Sequence, residues 1–201
     1  HPELLSELQW HGGAEGNTIS FAEKQVAHLR RKINELEKKM LELIQFGNEN
    51  DELLVKYHVM TLRLIQADTL SAVFEAVYDV VRREFELPYV AIRIWFADQT
   101  LQVGPEFETV NDLLRRSVEQ MRAPFINRFT ALPYHDAFAT WLWEEPQKVG
   151  SAAVIPLRND QIVFGALLLG SPDPDRFTHH MSTVYLEQMA DQIAAAIVKT
   201  K

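Results

Sequence analysis

Few side chains in this sequence combine the type and spacing that chemistry requires, and Arg93 stands first among them. From Tyr89 to Phe96 the residues alternate, so Val90, Ile92, Ile94 and Phe96 share one face of a strand and Tyr89, Ala91, Arg93 and Trp95 the other. A guanidinium beside an aromatic wall can hold a carboxylate or phosphate through two parallel N–H bonds. It can equally form a salt bridge or lie solvated on a sheet face, the ordinary condition of arginine. Phe125, Asn127, Tyr134, His135 and Trp141, together with Trp143, fall in the stretch expected to roof the same face. There they either complete an apolar pocket around a small molecule or make ordinary core.

The remaining reactive-looking residues do not assemble into a catalytic set. With zero cysteines, disulfides, thiolate metal sites, iron–sulfur clusters and thiol nucleophiles are all excluded. His179 and His180 are adjacent, about 100° apart on a helix, which is a poor geometry for one metal. His28 and His58 have no histidine partner four residues away, so no metal site is expected. Tyr134-His135-Asp136 offers acid and base groups, but neighbours on a helix are expected not to face each other. Asp173, Asp175 and Arg176 suit local capping and pairing in a Pro-rich loop, or a rim for a protein partner. No nucleophile elbow, phosphate loop or dinucleotide fingerprint occurs. No catalytic residue and no cofactor can be named, and an enzyme is the least favoured reading.

The elements that must position Arg93 follow from periodicity. Residues 1–19 hold Leu4, Leu5, Leu8 and Trp10 followed by Gly12, Gly13 and Gly16, a short helix on a flexible arm. Ser20 and Glu23 form a capping box that opens a long helix. Val26, Ile33 and Met40 then fall at heptad position a and Leu29, Leu36 and Leu43 at d, a dimerising seam over 20–50. Lys32 at g faces Glu37 at e of a second copy, as a parallel in-register pair requires. The alternative is that the helix packs on its own domain, and the matched flanking charges favour the dimer. Beyond Gly47 the register weakens, and an unbroken helix to Ala67 would run ~70 Å.

A domain over 51–201 follows. Asp68 is expected to cap a helix whose stripe is Leu70, Val73, Phe74, Val77, Val80, Val81 and Phe85. After the Arg93 strand come a weaker strand, 99–103, a helix over 111–121, a strand over 125–129 and a helix over 134–143. Apolar runs at 151–157 and 162–170 form a hairpin turning at Arg158-Asn159-Asp160-Gln161. A closing helix is expected from about Thr178, carrying Met181, Tyr185, Met189, Ile193 and Ile197. The order implies an α+β fold: an antiparallel sheet with helices on both faces, the first and last covering one and short helices roofing the other.

The 201 residues are 47% apolar, enough for one full core, and a net charge of −8 opposes nucleic acid and anionic membranes. No membrane-length apolar run or signal peptide is seen, so a cytoplasmic protein is expected. Because the chain opens at His1, native residues are expected to precede it.

The segment SAAVIPLRNDQIVFGALLLGS, the following RF and the helix MSTVYLEQMADQIAAAI resemble GAF domains. More narrowly, HPELLSEL, SFAEKQVAHLRRKINELEKKMLELI, NENDELL, VAIRIW and LLLGSPDPDRF resemble the bacterial family called domain of unknown function 484. That resemblance covers nearly the whole chain. It implies a bacterial cytoplasmic protein without an established biochemical activity, sometimes encoded beside a site-specific recombinase. Some GAF proteins reduce methionine sulfoxide or attach a bilin through cysteines, which this chain lacks. Cyclic-nucleotide GAF domains carry an Asn-Lys, Phe and Asp-Glu signature; Asn127-Arg128 and Phe129 match its opening, but no Asp-Glu pair follows at that spacing. Sensing of an unidentified small molecule is what the wider resemblance implies; with the seam of the long helix and the missing catalytic set, a non-catalytic sensory dimer is expected. The alternative is a ligand-free scaffold for a protein partner, its pocket filled by its own Trp and Phe side chains.

Overall fold

The computed structural model describes residues 21–95, 104–142, 146–178 and 181–200. The expected N-terminal arm, Ser20 of the capping box, Phe96, the 99–103 strand, Trp143 and the His179-His180 pair lie outside the described residues.

Helix α1 spans Phe21–Gln66 and is helical through Gly47. The chain divides into two compact units between Asn50 and Asp51. In the first, Val26, Leu29, Ile33, Leu36, Met40 and Leu43 are all exposed, at 47–69%. In the second, the last turns of α1 bury Tyr57, Met60 and Leu64, spaced three and four apart as one helix face, and Ala67 is buried just past its end. Helix α2 (Leu70–Arg83) buries Val73, Phe74, Val77, Val80 and Val81 of the expected stripe, while Leu70 is half-buried and Phe85 is buried just past the helix end. Each such side chain removed from water contributes about 1.5–3 kcal/mol before entropy is counted. Its cap is Thr69 rather than Asp68: the Thr69 hydroxyl accepts the Ala72 amide at 3.2 Å. Both residue types can cap; Thr69 is the residue in extended conformation directly before the first helical residue, Leu70.

The sheet is four-stranded and antiparallel among the described residues, in the order β1 (Tyr89–Ile94), β4 (Ile162–Ser171), β3 (Ser151–Asn159), β2 (Phe125–Arg128). Alternation divides it as expected. Val90, Ile92, Ile94, Ala153, Ile155, Leu157, Leu167 and Leu169 join one core with α1, α2 and the closing helix α5 (Val184–Lys199). Ala91, Trp95, Ala152, Val154, Ala166 and Leu168 join a second core under α3 (Asp112–Glu119) and α4 (His135–Ala139). Both faces are thus covered, which is why the two central strands read as continuous apolar runs.

The hairpin turn is tighter than expected. Asn159 pairs with Ile162, leaving Asp160 and Gln161 as the turn, with Asp160 left-handed at φ 53°. A bulge follows: Leu157 pairs with Gly165 but Arg158 with Val163, so Phe164 is an extra residue and the side-chain alternation slips there. Gly165 sits where a Cβ would come within 2.6 Å of the Arg93 carbonyl oxygen, so only glycine lets β4 approach β1 this closely.

Helix α5 runs Val184–Lys199, starting six residues later than expected. Phe177 is buried and its amide binds the Ser151 hydroxyl at 3.2 Å, which holds the chain in loop. Met181 therefore packs on the core from outside the helix. In the Pro-rich loop the Asp173 carboxylate accepts the Asp175 amide at 2.9 Å, the expected local capping.

Candidate functional site

Arg93 is 2% exposed, and its neighbours on β1 explain why. It stands on the strand face of the second core, between Ala91 and Trp95, with the ring of Trp141 5.4 Å from its guanidinium carbon. Burying a cation costs several kcal/mol unless partners replace its water. Here Nη1 donates to the Ile92 carbonyl at 3.1 Å and Nη2 to Glu108 Oε2 at 3.0 Å. Of five N–H donors, these contacts use two. Burial pulls the guanidinium below the usual arginine range, and Glu108, Tyr78 and Glu106 act against that pull. Glu108 itself is 58% exposed on its side chain, so water screens its half of the pair.

A second polar pair stands alongside. Tyr78 on α2 donates its phenol to Glu106 Oε1 at 2.6 Å, and Glu106 is buried in the 3-10 turn Pro105–Phe107. Burial first, and then this hydrogen bond, push the Tyr78 phenol well above the tyrosine range, so it keeps its proton and remains the donor. Arg82, one turn on, places its guanidinium 5.6 Å from the Tyr78 ring.

Between these groups lies a cavity of ≈ 230 Å³, lined by Tyr78 and Arg82 from α2, Tyr89, Ala91 and Arg93 from β1, Pro105 and Glu106 from the 3-10 turn, and Trp141 and Leu142 after α4. It mixes a flat apolar wall with two cations and a carboxylate, a composition suited to a small polar molecule with an apolar body.

Of the residues expected from sequence to bind a ligand, the structure brings together Arg93 and Trp141 on this cavity. Trp95 is buried beside Arg93 but packs under α3, with the Arg115 guanidinium 5.9 Å from its ring. Its indole Nε1 is a buried donor without a hydrogen-bond partner among the described residues. Phe125 and Asn127 do face the same side of the sheet, but from β2 at the opposite edge, three strands or ~14 Å from β1. Tyr134 is half-exposed in a left-handed conformation, φ 60°, at the start of α4, away from the cavity lining. His135 Nε2 lies 3.3 Å from Asp136 Oδ1, so these neighbours do meet. α4 is only five residues long, and at its first turn the two side chains can bend toward each other; Asp136 is almost fully in water. Tyr78, Arg82, Glu106 and Glu108 were not foreseen. Tyr78 sits beside the apolar stripe of α2 like any helix-edge tyrosine, and the acids flanking Phe107 carry no spacing that announces a site. Among the described residues no three His, Asp or Glu side chains gather as a metal site, and no helix is long and apolar enough to cross a membrane.

The family described as "Protein of unknown function, DUF484" matches residues 1–199. No curated protein sequence matches the chain significantly. Among solved structures, the phycoerythrobilin-bound GAF domain of a cyanobacterial phytochrome superposes with a TM-score of 0.51 at 13% identity, over 75% of this chain and 97% of that one. Free methionine-R-sulfoxide reductase from Neisseria meningitidis, in complex with its substrate, gives 0.51 at 12% identity over 74% and 91%. The GAF domain of a phosphoenolpyruvate-protein phosphotransferase from Coxiella burnetii gives 0.50 at 11% over 73% and 93%. At such identities the likeness establishes the fold, which is that of GAF domains.

Proposed function

Since the chain belongs to the DUF484 family of unknown function and has the GAF fold, we propose that it is a non-catalytic, cytoplasmic sensory module that binds a small molecule and works as a homodimer. The observation that carries this reading is the cavity at Arg93, whose lining brings a buried cation and an indole beside a buried carboxylate that accepts from Tyr78. Two proteins of the same fold hold small molecules, a bilin in one and a reductase substrate in the other. The absence of cysteine supports a binding role over thiol chemistry.

The dimer rests on α1. Six apolar side chains of period 3.5 lie exposed along it, a stripe whose removal from water favours a second copy. Cavity and helices share one part: α2 offers Tyr78 and Arg82 to the cavity while its apolar face packs in the core that holds the last turns of α1 and α5. A ligand that prefers one packing of α2 would shift the helix layer, and the signal needs that difference in affinity.

A scaffold for a protein partner is the second reading. It is favoured by the central sheet face beneath α3 and α4, which Trp95, Phe129, Phe138 and Trp141 fill from within. Native mass spectrometry of protein purified from bacterial cytoplasm, before and after denaturation, separates the two. A dimer carrying a small mass is expected. An empty dimer would move the weight to the scaffold, and a monomer would end the dimer proposal.

A further inference from the structure

Resting on the ligand-binding reading above, we propose that the cavity takes a small carboxylate, and that the ligand's carboxylate replaces Glu108 on the Arg93 guanidinium. Three observations carry it. The positive charge is the buried partner, at 2% exposure, while the negative one is 58% exposed, so Glu108 can leave into water and Arg93 cannot. The existing pair uses a single N–H to one carboxylate oxygen, whereas a guanidinium fork matches both oxygens of a carboxylate at once. The other acid of the site, Glu106, already receives the Tyr78 phenol and is buried, so it stays.

Charge selects the class of anion. Exchanging Glu108 for a monocarboxylate replaces one negative charge by another and leaves Arg93 neutralised. A phosphate monoester brings −1.5 to −2 charges at neutral pH, beside the buried Glu106 and against one buried cation, since Arg82, the other cation of the lining, is exposed to water. A neutral ligand would leave Glu108 in place and gain nothing from Arg93. The cavity, at ≈ 230 Å³, lies below the ~300–1,000 Å³ usual for drug-sized ligands, so the occupant is metabolite-sized. Its body would lie against Trp141, Leu142 and Pro105.

The test uses the full chain, with acetate and benzoate as probes and benzamide as the neutral counterpart, followed by ¹⁵N NMR of the Trp141 indole. Benzoate should shift that signal saturably and benzamide should not. Glu108→Gln removes the competing charge from an exposed position and should tighten benzoate binding by up to about fivefold, the worth of a partly exposed pair. Arg93→Lys keeps the charge but loses the fork, and should weaken binding by about tenfold. Equal binding of benzoate and benzamide, no change in Glu108→Gln, or no binding of either carboxylate overturns the proposal. A neutral or cationic compound co-purifying in the cavity would overturn the carboxylate class and leave the sensory reading standing. An empty cavity that also ignores every probe would end both.

Discussion

Replacing Tyr78 by Phe tests the most constrained polar contact of the site. The phenol donates at 2.6 Å to Glu106, whose residue is 6% exposed, so the substitution removes a donor from a buried carboxylate without changing the ring. Hydrogen bonds to charged groups contribute about 1.5–3 kcal/mol, and leaving the acceptor buried and unpaired carries the full desolvation cost. Tyr78 is partly buried, and water reaching the vacated position would relieve part of that, which puts the expected loss near 2 kcal/mol. For a domain of about 150 residues that is a fall in Tm of roughly 4–8 °C. Urea unfolding followed by tryptophan fluorescence gives the free energy directly, and the slope should not change. The decisive measurement is the cycle with Glu106→Gln. If the pair is what stabilises, the double variant should lose less than the sum of the singles by at least about 1 kcal/mol. A loss under about 0.5 kcal/mol for Tyr78→Phe, a value ordinary for surface changes, or strict additivity, would refute the reasoning that this buried hydrogen bond stabilises the fold.

Three further outcomes follow from the same structure. Ile33→Asp with Leu36→Asp places two charges in the exposed stripe of α1 and should convert a dimer into a folded monomer in light scattering; a dimer that survives would put the interface elsewhere. Gly165→Ala drives a Cβ to within 2.6 Å of the Arg93 carbonyl and should cost about 1–3 kcal/mol in urea unfolding, together with a shift of the Trp141 indole signal. Tyr57 and Tyr78 are both pushed above the tyrosine range, first by burial, Tyr57 with added influence from Tyr185 and Tyr78 from its bond to Glu106. The unfolded chain releases these protons near pH 10 and the folded chain holds them. Stability from this source is therefore complete below about pH 10 and declines as pH rises above it. The decline, read as the urea midpoint between about pH 9 and 11, should be shallower in the double Phe variant.

Much of the scaffold is local and so was legible in the sequence. The stripe Val73, Phe74, Val77, Val80, Val81 announces α2 because side chains three and four apart share a helix face. The alternation from Tyr89 put Arg93 with Trp95, opposite Val90, Ile92 and Ile94, because a strand's period is two whatever lies beside it. The apolar runs of β3 and β4 announced an antiparallel hairpin, and they run on without alternation because both faces of these strands are covered. Local signals failed where a competing contact set the boundary: the burial of Phe177 and its bond to Ser151 delay α5, and the extra residue Phe164 interrupts the alternation of β4.

The site itself was only half local. Period alone said which face Arg93 occupies, but not which sheet edge, and edge position depends on strand order, which pairs β1 with β4 and places β2 three strands away. That is why Phe125 and Asn127 share a face with Arg93 and still lie far from it. Tyr78, Glu106 and Glu108 meet Arg93 because α2 and the 3-10 turn fold against β1 across gaps of 15 residues or so in sequence. A lone tyrosine on a helix edge and two acids flanking a phenylalanine are neutral facts until burial removes their water; only then must each find a partner, and the tertiary structure decides which.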